Sequence, residues 1–186
     1  ISHEHTQERT DLLVGRDSET RGGEQSTINS PLPLGASHDA YMQFMERIVQ
    51  PALPRFRPAL SVVAGGYDAA AIDPLSRMLA TAQTFSAMTA AIKASAAELC
   101  DGRLVLVHEG GYSEVYVPFC GHATISTLAD SSIEAPDPLE ETFAKRQPRG
   151  QLAKFLATCV DALAACHAPY TTAPPFEPPS HATTQP

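Results

Sequence analysis

Two short apolar runs, each closed by a glycine pair and then one reactive side chain, constrain this chain more than any other feature. The first is Leu60-Ser61-Val62-Val63-Ala64, followed by Gly65-Gly66-Tyr67-Asp68. The second, about forty residues later, is Arg103-Leu104-Val105-Leu106-Val107, followed by His108-Glu109-Gly110-Gly111-Tyr112. Neither run alternates apolar with polar residues, which is the pattern of a strand buried on both faces in a parallel sheet. The segment from Pro74 to Leu99 carries a helical pattern, and a helix is expected from about Thr81 to Leu99, with Phe85, Met88, Ile92, Ala96 and Leu99 at helical spacing. The unit therefore reads strand, loop, helix, strand, the βαβ connection of an α/β fold. Ligands of open parallel sheets collect beyond the carboxyl ends of the strands, so Asp68 and Tyr112 are expected to face one crevice.

Two plainer readings compete at these residues. A glycine pair after a strand invites a dinucleotide site, but Gly65-Gly66 is followed by Tyr-Asp and not by the G-x-x-G continuation that brings backbone to a pyrophosphate. Asp68 could cap a helix or a turn, as Asp often does, and Tyr112 could simply pack. Asp73, ahead of Pro74, is read as shaping its loop. His108 and Glu109 could tune the crevice, although a half-buried His108 bonded to neighbouring backbone is the better expectation.

Elsewhere the pattern is structural. Residues 1–27 are polar and read as loop, with only Leu12-Leu13-Val14 to bury. His3 and His5 form an H-x-H pair, yet no third ligand is fixed nearby, so a solvated loop is preferred to a metal site. Tyr41, Phe44, Met45, Ile48 and Val49 make one stripe of an amphipathic helix whose end is strained by Pro51 and Pro54. A further helix is expected over 115–129, entered through Pro118, with Phe119, Ile125 and Leu128 inward. After a Pro-rich acidic link from Glu134 to Pro138, a last helix from about Gln151 to Cys166 should bury Leu152, Phe155, Leu156, Cys159, Val160 and Leu163. From Pro169 the chain is rich in Pro, Thr and Ser, and a disordered tail is expected over 167–186.

The segment Ala64-Gly65-Gly66-Tyr67-Asp68-Ala69-Ala70-Ala71-Ile72-Asp73-Pro74-Leu75 resembles the "GFDAHxxDPL" motif of the histone deacetylase, acetoin-utilisation and acetylpolyamine amidohydrolase superfamily. His108-Glu109-Gly110-Gly111-Tyr112-Ser113 resembles its "EGGY" motif, and Ile28 to Gly35 its "NxPLPPG" turn. Order and spacing agree with class II-like bacterial members over roughly Ile28 to Ser132. The resemblance implies a three-layer arginase/deacetylase-type α/β fold with a parallel sheet, present here as a C-terminal portion, with 1–27 a loop-rich remnant of the preceding segment and 28–166 the body. It implies that Asp68 is a ligand of a catalytic Zn2+ and that Tyr112 hydrogen-bonds the substrate carbonyl as it becomes an oxyanion. It further implies that Leu75, Gly110 and Gly111 line the substrate pocket. Ile1-Ser2-His3 resembles the family's "ISLH" strand end, which makes Ser2 a candidate ligand of a structural monovalent cation such as K+.

Departures from the family pattern matter equally. Ala70 stands where many relatives have His, which leaves the acyl preference open. The tandem His pair that acts as general base and acid, and the Asp-x-His segment with two further zinc ligands, are both absent from the sequence. The resemblance thus implies hydrolysis of acetyl-amide bonds, on acetylated lysine or acetylpolyamine, by the full-length family. The chain by itself is expected to be inactive, because one carboxylate does not make a three-ligand zinc site. A truncated, non-catalytic deacetylase-like interaction module or pseudoenzyme is the alternative.

Composition bears on partners and setting. A net charge of −8 and thirteen scattered basic residues, only Lys145-Arg146 adjacent, argue against direct nucleic-acid binding. The sequence contains neither a stretch of about twenty apolar residues nor a positively charged start leading into an apolar core, so no membrane span or signal peptide is expected. Four widely spaced cysteines, Cys100, Cys120, Cys159 and Cys166, read as reduced thiols of a cytoplasmic protein, in preference to a disulfide or a zinc cluster. Cys159 and Cys166 lie seven apart on one helix face and are read as packing residues. A sheet lacking neighbouring strands leaves an edge and an apolar face bare, which predicts self-association as a homo-oligomer.

Overall fold

The computed structural model describes residues 28–172. The expectations for Ser2, His3 and His5 lie outside the described residues. Helix α1 (His38–Phe44) runs through a π-helical turn (Met45–Val49) into α2 (Gln50–Phe56). Strand β1 (Ser61–Gly65) is followed by α3 (Ala82–Cys100), β2 (Leu104–His108), α4 (Val117–Ala129), α5 (Glu140–Arg146), α6 (Gly150–Cys166) and the short α7 (Ala168–Thr171). The two strands pair in parallel, Ser61 opposite Leu104 and Gly65 opposite His108. The βαβ unit is therefore present, with each strand shifted one residue toward its glycine pair.

Local chemistry explains the element boundaries. Pro51 has no N–H to return to a carbonyl one turn back, and the ladder widens into a π turn just before it. Thr81 and Thr84 form a reciprocal capping box at the start of α3, with Thr84 N–H donating to Thr81 Oγ1 at 3.3 Å and Thr81 N–H to Thr84 Oγ1 at 3.0 Å. That cap fixes the start of the helix, expected from about Thr81, at Ala82. At its other end Asp101 and Gly102 turn left-handed, and Gly102 N–H reaches back to Ala96 O.

Helix α5 was not expected in the stretch after the acidic link. It has seven residues and a single buried apolar side chain, Phe143, too little for a periodic signal. Glu140 and Glu141 in its first turn and Lys145 and Arg146 in its last complement its dipole. Asp137 initiates it by accepting the Leu139 N–H at 2.8 Å. The same carboxylate takes the hydroxyl of Tyr116 at 2.5 Å, and that hydroxyl accepts the Ala82 N–H at 3.0 Å. Burial, and then the bond to Asp137, push the Tyr116 phenol far above its ordinary pKa, against the Ala82 N–H, which lowers it. One fully buried tyrosine thus joins the starts of α3, α4 and α5.

The main core gathers Tyr67, Phe85, Tyr116, Cys120 and Phe143, with a smaller cluster of Ala36, Ala40 and Leu156 between the 33–37 turn, α1 and α6. Several side chains expected inward are not. Ile125, Leu152 and Phe155 are exposed, because α4 buries Cys120 and Thr124, and α6 buries Leu156, Val160 and Leu163 along a narrower stripe. Cys166 is exposed, while Cys100 and Cys120 are buried, and all four cysteines are free thiols.

Both strands were expected to be buried on both faces, and here the structure differs. Val63 and Leu106 point toward Phe85, Met88 and Ile92 of α3, around an apolar cavity of about 250 Å³. On the opposite face Val62 is 63% and Val107 48% exposed, with Leu60 and Val105 also open. Non-alternating apolar strands are thus covered on one side only among the described residues. Among those residues, too, no helix is long and apolar enough to cross a membrane.

Candidate functional site

Three loop segments meet beyond the carboxyl ends of β1 and β2. The loop after β1 is held to the loop after β2 by continuation of the parallel ladder: Glu109 N–H donates to Gly65 O at 3.2 Å and Tyr67 N–H to Gly110 O at 2.7 Å. Glycine is needed for so close an approach. A Cβ on Gly66 would lie 3.3 Å from the Gly110 nitrogen. The third segment, the Pro31 to Gly35 turn, is pinned to the far limb of the first loop by Gly35 N–H to Arg77 O at 2.9 Å and Leu79 N–H to Ala36 O at 2.8 Å. Gly35 takes φ +81°, which other residues seldom adopt.

Asp68 sits in the turn directly after β1, and its carboxylate is aimed across at the second loop. A Cβ placed on Gly110 would come within 2.6 Å of Asp68 Oδ2 and 3.5 Å of Tyr112 Oη. The carboxylate and the phenol therefore converge on one point above Gly110. Asp68 also faces Tyr41, whose phenol is pushed up to about 12 by burial and then by the Asp68 charge. Tyr112 itself is 54% exposed, its ring presented to solvent at the crevice.

Leu75 shares an open pocket of about 370 Å³ with Asp68, together with Leu34, Arg77 and Met78. Leu75 is 73% and Leu34 76% exposed, so both form a rim and neither belongs to the core. Gly110 lies at the floor, against the Asp68 carboxylate. Gly111 lies behind it, at φ +131°, where a Cβ would press on Tyr67 Cβ and Val117 Cγ2 at 3.0 Å each. His108 is exposed beside the Tyr67 ring, centroids 4.8 Å apart, and does not occupy the half-buried position expected of it. A wider cleft, about 610 Å³, lies between α3, α4 and the 130–137 loop. Its carboxylate–phenol pair, Asp137 with Tyr116, has the phenol fully buried and spent on structural hydrogen bonds, so the chemistry points to Asp68.

Two residues of the site were not singled out from sequence. In sequence Leu34 is only part of a turn, and its place at the rim depends on the bonds of Gly35 and Leu79 that fold that turn beside Leu75. Asp73 shapes its loop as the sequence suggests, and its local bond, Leu75 N–H to Oδ1 at 2.8 Å, is the two-residue turn that Asp commonly makes. Its second bond, from Tyr112 N–H to Oδ2 at 2.8 Å, spans 39 residues and left no local signal.

As a metal site the arrangement supplies one ligand. Asp68 presents a carboxylate toward the crevice, but among the described residues no group of three or more His, Cys, Asp or Glu side chains could hold a metal ion. The donor set of a zinc centre, usually three protein ligands, is therefore not completed by the residues described.

Comparison with known proteins bears on the family and the fold. Residues 13–128 match the model of the histone deacetylase domain. A histone deacetylase-like amidohydrolase of Pseudomonas aeruginosa is 50% identical over 143 residues, which cover 77% of this chain and 38% of that protein. A probable deacetylase of Archaeoglobus fulgidus is 35% identical over 117 residues, 62% of this chain and 33% of that one. The HD domain of HDA15 superposes with a TM-score of 0.57 at 23% identity, covering 82% of this chain and 40% of its own. The histone deacetylase Clr3 gives 0.62 at 22%, covering 91% and 27%. The chain thus spans well under half the length of these relatives, and its fold is part of the arginase/deacetylase α/β type. Two motif-bearing loops, their juxtaposed Asp68 and Tyr112, and a domain match over 13–128 lead to one assignment: the chain belongs to the histone deacetylase family.

Proposed function

We propose that this chain forms one wall of the active site of a zinc-dependent hydrolase of acetyl-amide bonds, acting on acetylated lysine or acetylpolyamine. The observation that carries the reading is the convergence of the Asp68 carboxylate and the Tyr112 hydroxyl over Gly110, at the carboxyl ends of two parallel strands. Asp68 would serve as one zinc ligand, with the remaining ligands and the general base drawn from outside the described residues. Bound zinc supplies polarisation of a carbonyl and of an attacking water.

The chain's own residues have separate tasks. Tyr112, a phenol with one hydrogen to donate, hydrogen-bonds the substrate carbonyl oxygen and binds it more strongly as negative charge develops there. Leu75 and Leu34 supply apolar contact for the methylene stem behind an acetyl-amide. Gly110 leaves the space in which the carboxylate and the carbonyl oxygen lie close together. A cytoplasmic setting accords with four free thiols.

The test has two arms, the 186-residue chain and the longest natural polypeptide that contains it. Each is washed with chelator, given stoichiometric zinc and assayed for retained metal and for hydrolysis of an acetyl-lysine peptide. Asp68→Asn should abolish zinc retention, and Tyr112→Phe should keep zinc but lower kcat by about 10²–10³-fold, as expected for one oxyanion donor. Full kcat in Tyr112→Phe overturns the assignment. If neither polypeptide holds zinc, the non-catalytic deacetylase-like module is the better description.

A further inference from the structure

Asp73 is among the most buried charged residues described, 6% exposed, and no cation among the described residues pairs with it. Both of its oxygens are used on backbone amides. Oδ1 accepts from Leu75 N–H and Oδ2 from Tyr112 N–H, each at 2.8 Å, while its own N–H donates to Ala70 O at 3.0 Å. A carboxylate has two acceptor oxygens and no hydrogen to donate, so one side chain can take two amides whose carriers lie far apart in sequence.

The second bond is not needed to make the turn. An Asp-Pro turn requires only a donor two residues on, and the Leu75 N–H satisfies it. The bond to Tyr112 instead crosses between the two loops of the site. Little else fixes Tyr112. Its ring is half exposed, and it follows two glycines. The nearest backbone anchors on either side are Gly110 O, which accepts from Tyr67 N–H, and Ser113 O, which accepts from Tyr116 and Val117 N–H.

We infer that Asp73 is the positioning residue of this site. Its buried carboxylate sets the Tyr112 hydroxyl and the Leu75 rim at a fixed separation by holding both backbone amides at once. The catalytic consequence rests on the deacetylase reading above, whereas the structural link does not.

The experiment uses Asp73→Asn, with Asp73→Ala beside it, in the same two polypeptides. Asparagine has one carbonyl oxygen and a donor NH2, so it can keep the local Leu75 bond but not the one to Tyr112. Amide hydrogen exchange in Asp73→Asn should accelerate about 10–100-fold at Tyr112, the loss expected for a bond to a charged acceptor. Exchange should stay within about threefold at Leu75 and at Phe85 in α3. In Asp73→Ala both Leu75 and Tyr112 should accelerate. An unchanged Tyr112 amide overturns the inference. So does a uniform rise through α3, which would make Asp73 a residue of the fold only. In the zinc-loaded, active polypeptide Asp73→Asn should lower kcat about 10–100-fold with KM and metal content little changed. If Tyr112→Phe lowers kcat and Asp73→Asn does not, the inference falls and the deacetylase reading stands. If Tyr112→Phe has no effect while the Tyr112 amide still loosens in Asp73→Asn, the deacetylase reading falls and the link stands.

Discussion

Replacing Gly110 by alanine probes the site with a single methyl group. Its Cβ would stand 2.6 Å from Asp68 Oδ2 and 3.0 Å from Asp68 Cγ, where ordinary contact begins at 3.4 Å. The carboxylate would have to retreat by about 0.8 Å, or the strand-end loops would have to part by as much. Overpacking of this size costs about 1–3 kcal/mol, and in a domain of this length each kcal/mol lowers Tm by roughly 2–4 °C. The chemical effect should be larger than the thermal one, since a misplacement near 1 Å can cost about 10²-fold in rate. Gly65→Ala is the control. Its Cβ meets only Val107 O, at 3.7 Å, and should change stability by less than about 1 kcal/mol. Calorimetry of both variants, with acetyl-lysine turnover measured in the zinc-loaded polypeptide, separates the effects. A Gly110→Ala protein that melts with the native one and turns over at the native rate would refute the convergence of Asp68 and Tyr112 on that point.

Removing the hydroxyl in Tyr116→Phe strands the Ala82 N–H in a buried setting and takes the phenol from one oxygen of the half-buried Asp137. It should cost about 2–3 kcal/mol, or roughly 5–10 °C in Tm, and an unchanged Tm counts against that joint. Burial pushes the Cys120 thiol up to about 12 from 9.0, and burial with the Asp68 charge pushes the Tyr41 phenol up to about 12 from 10.0. The unfolded chain loses these protons first, so their contribution is whole below about pH 9 and falls as pH rises toward 12. Urea midpoints should drop across that window, Cys120→Ala should flatten its lower part, and a midpoint constant to pH 11 refutes the assignment. The bare sheet face should make the 186-residue chain self-associate. In sedimentation velocity, Val62→Lys with Val107→Lys should shift the mass toward a single chain, and a native chain already monodisperse as a monomer removes the argument.

The parts of the molecule legible in sequence are those whose determinants are local. Unbroken Val and Leu runs with glycine pairs located both strands to within one residue, because strand propensity and glycine's freedom of approach act over a few neighbours. Asp68 and Tyr112 were marked by their motifs. What escaped depends on partners distant in the chain. Ile125, Leu152 and Phe155 fit a helical stripe, yet which third of the stripe is covered was decided by the 33–37 turn and by Tyr116, not by spacing. Helix α5 is held by one aromatic, Phe143, and by an Asp137 shared with Tyr116, neither of which leaves a periodic trace. The unalternating strands describe a burial that the described residues satisfy on one face only.

The site divides into a floor and a rim with different tolerances. Gly66, Gly110, Gly111 and Asp73 form the floor: a Cβ on Gly66 or Gly110 meets the Asp68 carboxylate within 3.0 Å, one on Gly111 meets Tyr67 Cβ and Val117 Cγ2 at 3.0 Å, and two interloop backbone bonds and two bonds to the Asp73 carboxylate converge there. Such positions admit almost no substitution without moving Asp68 or Tyr112. Leu34 and Leu75 stand largely in solvent, so their loss removes little core packing, and on the proposed function it removes apolar contact with substrate. Substrate preference can therefore change at the rim at small cost to stability. For Leu75→Ala this predicts a rise in KM for an acetyl-lysine peptide with Tm within about 2 °C of native. A fall in kcat with KM unchanged would instead place Leu75 on the floor, in the path that holds Tyr112, and would mean that the Asp73 turn transmits changes at the rim to the reacting centre.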